Sequence, residues 1–157
     1  MSRYGIFGTL LLLLLSSSVS ASNTCVPLLI QNSTKEIILP GPNQPRETVV
    51  YLFKNLTTHS IWVDHPVPHP SVSAGWSSYL RPGNLSALLV NRKNFTMNCA
   101  TIKPGRVEYL DCAKVVSVCT PTTAVITSAR KGTFWLVEDK AWDVLIKLLA
   151  KHGVQIK

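Results

Sequence analysis

The side chains best suited to chemistry crowd into one stretch of the chain. Asp64, His65 and His69 lie within six residues, and His59 sits just upstream. Imidazole and carboxylate donors suit copper or zinc, and a blue-copper centre would use two histidines, a thiolate and a weak methionine. In sequence, such a centre needs a cysteine followed closely by a histidine and then a methionine. Here Cys25 has no histidine within thirty residues after it, Cys99, Cys112 and Cys119 have none until His152, and Met97 precedes Cys99. His65 and His69 remain as candidate ligands for a weak Cu/Zn site, against the plainer expectation of two surface histidines on a proline loop.

Covalent catalysis has less support. The chain contains no GxSxG motif. Asp64 and His65 are adjacent in sequence, which does not make a base and its orienting group. Carboxylates for glycoside hydrolysis would have to come from only eight acidic residues, and no pairing among them is visible. The expectation is a protein with no catalytic residue and no cofactor.

The cysteines speak for compartment. Met1-Ser-Arg3, an apolar core with six leucines at Leu10 to Leu15, and the small-residue exit Ser16 to Ala21 read as a signal peptide cleaved after Ala21. The apolar run is shorter than the ~20 residues of a spanning helix, and no later segment could span. Residues 22–157 are then one exported domain, periplasmic or secreted. Cys25, Cys99, Cys112 and Cys119 all lie in it, an even count that predicts two disulfides. No pair has the close CxxC spacing that zinc favours. Four cysteines admit three connectivities. If 107–119 ran as one straight strand, Cys112 and Cys119 would stand ~23 Å apart, beyond disulfide reach. That favours Cys99–Cys112 with Cys25–Cys119.

The formal charge is +8, an invitation to polyanions. The basic residues are scattered, with adjacent pairs only at Arg92-Lys93 and Arg130-Lys131, so a nucleic-acid groove is not expected. Around the loop His65 to Pro70, Trp62, Trp76 and Tyr79 could form a recognition patch. Trp62 alternates as a core strand residue, whereas Trp76, Tyr79 and Arg81 border turns and are the candidate surface for a protein partner. Four N-x-S/T sequons, at Asn32, Asn55, Asn84 and Asn94, would imply glycans in a eukaryotic secreted protein and nothing of the kind in a bacterium.

The elements that position these residues are mostly short strands. Val26–Ile30 and Ile37–Leu39 are apolar runs of strand length, the first an edge strand tied in through Cys25. Thr48, Val49, Val50, Tyr51 and Phe53 mark a strand over 47–54, linked by Asn55-Leu-Thr-Thr58 to Ser60–Val63 as a hairpin. Arg81-Pro-Gly-Asn84 and Lys103-Pro-Gly-Arg106 are turns with Pro and Gly at the centre. Phe95, Met97 and Cys99 alternate with Thr96 and Asn98, the period of a half-buried strand. Two further strands flank the Arg130-Lys-Gly132 turn. Last, Trp142, Leu145, Ile146 and Leu149 recur at helical spacing, predicting an amphipathic helix over about 139–152 with Asp139 as N-cap and Gly153 as C′ residue. The fold class is mainly β: an antiparallel two-sheet β-sandwich, cupredoxin-like or immunoglobulin-like, with a C-terminal amphipathic α-helix.

Trp62-Val-Asp-His-Pro66, Ala74-Gly-Trp-Ser-Ser-Tyr-Leu-Arg-Pro-Gly83, Ser86-Ala-Leu-Leu89 and the spacing Cys99…Tyr109-Leu-Asp-Cys112…Cys119 resemble the EnhB-like enhanced-entry family, small periplasmic proteins of intracellular gammaproteobacteria. The resemblance covers about 50–142. It implies a bacterial exported protein linked to host-cell entry or intracellular survival, and it implies no catalytic residue. The expected function is a non-enzymatic envelope protein that binds a protein partner in the bacterial envelope or on the host surface; the alternative is a metal-binding cupredoxin-like periplasmic protein.

Overall fold

Two kinds of strand pattern divide the chain into two kinds of sheet. Runs such as Val49-Val-Tyr-Leu-Phe53 and Leu85-Ser-Ala-Leu-Leu-Val90 are apolar on both faces, while Ile61-Trp-Val-Asp64 and Phe95-Thr-Met-Asn98 alternate. A strand buried on both faces reads as a continuous apolar run, and one with a wet face alternates. A computed structural model describes residues 25–28, 35–44, 47–66, 76–127 and 132–156. The signal-peptide segment, Asn32, His69, Gly75 and the Arg130-Lys131 turn lie outside the described residues.

The first sheet, sheet A, has the order β1 (Cys25–Pro27), β9 (Val116–Pro121), β3 (Val49–Asn55), β6 (Leu85–Val90), β11 (Phe134–Lys140), all pairs antiparallel. The second, sheet B, runs β2 (Glu36–Leu39), β7 (Phe95–Lys103), β4 (Ile61–Asp64), β5 (Ser77–Leu80), with β8 (Arg106–Leu110) also paired to β7. Together they form a β-sandwich. Tyr51, Phe53, Leu88, Val116 and Val118 of sheet A meet Ile37, Ile61, Val63, Leu80, Phe95, Met97 and Cys99 of sheet B in the main core.

Sheet A has a second dry face. Val50, Leu52, Leu85, Ala87 and Leu89 pack against Leu145 and Leu149 of α2 (Trp142–Lys151) and Val154 of β12 (Val154–Ile156). This is why all six residues of β6 are buried. β12 closes a two-stranded ribbon with β10 (Ala124–Ile126). The sequence reading has no counterpart to β12, which is three residues long and follows Gly153 directly. The helix starts two residues later than expected. Its N-cap is Ala141, which makes no side-chain cap bond, and Asp139 belongs to β11 with φ 49°. Gly153, at φ 78°, occupies the C′ position that a left-handed residue fills.

Two connections also differ from expectation. β3 and β4 are not a hairpin: β3 pairs β6 and β9, whereas β4 pairs β5 and β7 in the opposite sheet. Residues 56–60 are a crossover, organised by the buried Asn55. Its Nδ2 donates to the His59 and Leu80 carbonyls at 2.8 and 2.9 Å, and its Oδ1 accepts from the Thr57 N–H. β10 and β11 likewise pair elsewhere rather than with each other.

The disulfides are Cys25–Cys119, joining β1 to β9, and Cys99–Cys112, joining β7 to α1 (Cys112–Val115). The short helix α1, capped by Asp111, interrupts the supposed strand between Val107 and Cys119. The chain turns there, and Cys112 reaches back to Cys99 without the bulge that a continuous strand would need.

Candidate functional site

Sheet B is clad on its inner face, and its outer face carries the exposed aromatic residues. Antiparallel partners project to the same side, so the register defines a row across four strands: Tyr79 on β5, Trp62 on β4, Ala100 on β7 and Tyr109 on β8. Alternation places Ile61, Val63, Leu80 and Cys99 in the core, which sends Trp62, Tyr79 and Ala100 outward. The Trp62 and Tyr79 rings meet edge to face, with centroids 5.1 Å apart. Ala100 is buried between its aromatic neighbours, while Tyr109 is 54% exposed. One step along the β7–β8 hairpin, Ile102 and Val107 form a second pair on the same side, 63% and 58% exposed. At ~4.8 Å between strands, the first row spans roughly 14 Å.

This arrangement revises the candidate aromatic surface. Trp76 packs against the main core, whereas Trp62, expected inside, is half-buried on the outer face beside Tyr79. Its side is set by Ile61 and Val63, the stronger apolar pair of β4. Tyr109, Ile102 and Val107 were absent from the expected set. The signal available was apolar residues at alternate positions flanking Lys103-Pro-Gly-Arg106.

Arg81 belongs to a different structure, a polar clasp between the two sheets. Asp139 accepts from the Arg81 backbone N–H at 2.8 Å, the Arg81 Nε at 2.6 Å and the Asn84 Nδ2 at 2.9 Å. Behind it, the Asp139 N–H donates to Ser86 Oγ, which in turn shares a 2.7 Å bond with Ser78 Oγ between the sheets. Burial opposes the Asp139 charge, but the Arg81 and Asn84 donors outweigh it and hold this carboxyl below its ordinary range. Arg81, Pro82, Asn84, Asp139, Lys140, Ala141 and Val144 line an open cleft of about 560 Å³. Its one carboxylate, partly buried, is ionised and already engaged, which suits bracing rather than proton transfer.

The histidine cluster does not assemble among the described residues, where no group of three or more His, Cys, Asp or Glu side chains could hold a metal ion. His65 donates through Nδ1 to the Thr96 carbonyl at 2.6 Å and stacks on Phe95 with centroids 4.3 Å apart. Asp64 points to the outer face beside Asn98, and burial raises its carboxyl above the ordinary range, with the neighbouring His65 charge pulling the other way. Of the three described sequons, two use the amide in the fold: Asn55 organises the crossover and Asn84 donates to Asp139. Only Asn94, on the β6–β7 connection with φ 55°, is exposed. Asn55-Leu-Thr57 is thus an Asx turn, a structural reason for the same three letters.

Among the described residues no helix is long and apolar enough to cross a membrane. Two disulfides place the chain in an oxidising, extracytoplasmic compartment. No family model, no curated protein and no solved structure matches the chain.

Proposed function

We propose that the protein is an exported, non-enzymatic interaction module of the cell envelope, periplasmic or secreted, that serves as an accessory factor in host-cell entry or intracellular survival. The observation that carries this reading is the outer face of sheet B, where Tyr79, Trp62 and Tyr109 share one row and Ile102 and Val107 lie beside it. Aromatic residues with a polar tip are favoured at protein interfaces. The resemblance to the enhanced-entry family supplies the biological setting. The paired disulfides suit export, and the clasp at Arg81 and Asp139 is bracing.

The test is genetic complementation in the bacterium that encodes the chain. Deletion lowers uptake or survival in host cells, and the wild-type protein restores it. A Tyr79→Ala/Tyr109→Ala double variant accumulates in the envelope, folded and oxidised, without restoring it. Full restoration by that variant, or a deletion without effect, overturns the reading.

A further inference from the structure

β8 is a bare edge. Among the described residues its five positions pair only with β7, through the register Cys99↔Leu110 to Lys103↔Arg106. The hairpin closes with the two-residue turn Pro104-Gly105, where Gly105 has φ 75°. In such a hairpin the closing pair is hydrogen-bonded across the strands, and the sense alternates from there. Arg106, Glu108 and Leu110 therefore turn their main-chain groups toward β7. Val107 and Tyr109 turn theirs to the open side. The same two residues carry the exposed apolar side chains of the outer face. Natural edge strands are usually short, bulged or covered; this one is regular and apolar where its backbone is free.

Resting on the interaction reading above, we propose that β8 is a strand-addition site for an extended segment of an acidic protein partner. The segment lies antiparallel to β8, bonds to the N–H and C=O groups of Val107 and Tyr109, and lays apolar side chains beside them on the outer face. Charge selects the occupant. A second copy would bring the same positive excess, and like charge opposes its docking. An acidic partner is instead drawn in by that excess, and an acidic residue opposite Arg106 completes the pairing. Lys103 already neutralises Glu108 from the adjoining strand, so the edge does not repel an acidic segment.

The experiment titrates the oxidised protein with two end-blocked decapeptides, one alternating valine with glutamate and one alternating valine with lysine, while amide exchange is followed. The glutamate peptide is expected to bind at least tenfold more tightly than the lysine peptide at low salt, and to slow exchange at the Val107 and Tyr109 amides. Tyr109→Pro removes one outward donor and leaves the β7 ladder untouched; it is expected to weaken binding at least tenfold. Tyr109→Glu, which keeps the backbone donor and adds like charge, does the same should the proline variant misfold. Equal binding of both peptides, an equal response to a sulfated glycan, protection at other strands, or no binding at millimolar peptide overturns the proposal. In the complementation assay, full rescue by Tyr109→Pro alongside failure of the Tyr79→Ala/Tyr109→Ala variant removes the β8 edge and leaves the envelope function standing.

Discussion

The two sheets of this sandwich have opposite exposures. Sheet A is sealed on both faces, by sheet B on one side and by α2 and β12 on the other. Sheet B is sealed on one face and leaves Tyr79, Trp62, Tyr109, Ile102 and Val107 on the other. The difference assigns the faces separate work: both faces of sheet A and the inner face of sheet B carry the stability, and the outer face of sheet B stays unclad because no core packs on it.

That division breaks most readily at the shared core. Phe53 is fully buried and meets Trp135 edge to face at 5.4 Å. Phe53→Ala is expected to cost about 4 kcal/mol in urea unfolding, against under about 1 kcal/mol for Tyr109→Ala on the outer face. Comparable losses would dissolve the distinction. Next in size is the Cys99–Cys112 bridge, which spans 13 residues. Replacing both cysteines by serine should lower stability by roughly 3 kcal/mol in the chain-entropy limit, read as a lower urea midpoint.

Gly41 follows, because a Cβ there would stand 2.1 Å from the Arg92 carbonyl oxygen. Gly41→Ala must part the two backbones beyond the end of β2, at about 2 kcal/mol. The same measurement shows whether the sheet B edge tolerates it.

The smallest effects contrast two carboxylates, with opposite signs. Asp139, at the clasp, titrates below its ordinary range and so stabilises at neutral pH. That contribution is lost as pH falls through its folded-state value. Asp139→Asn should therefore cost about 1–2 kcal/mol at pH 7, shrinking in acid. Asp64, on the open sheet, titrates above its ordinary range, so its ionisation works against folding and stability rises as it protonates. Asp64→Asn should raise the thermal midpoint slightly at pH 7 and do nothing in strong acid. A pH series of thermal midpoints for both variants checks the pair of signs.

What could be read from the chain alone follows the same division. The alternation in Phe95-Thr-Met-Asn-Cys99 and the Pro-Gly turns carry their geometry locally, and so does the helical spacing of Leu145, Ile146 and Leu149. The crossover at Asn55 does not. A run, a polar link and a second run look alike whether the second strand pairs with the first or crosses to the other sheet. The amide of Asn55 decides it, through carbonyls at His59 and at Leu80. Asp139 looked like a helix cap because the residues that engage it, Arg81 and Asn84, are more than fifty positions away in sequence. Trp62 was misplaced for a similar reason. Its row is defined by Tyr79 and Ala100, on strands that only the tertiary fold brings alongside.

The disulfides are nested, with Cys99–Cys112 enclosed within Cys25–Cys119. For a chain delivered from its N-terminus into an oxidising space, that order has a kinetic cost. Cys25 meets Cys99 before Cys119 exists to receive it, and immediate oxidation would trap a bond that the sandwich cannot use. Correct maturation requires either that β9 dock beside β1 while the thiols are still reduced, or that an isomerase exchange the early bond for the final one. A chain with this connectivity depends on the reshuffling capacity of its compartment as well as on its oxidant.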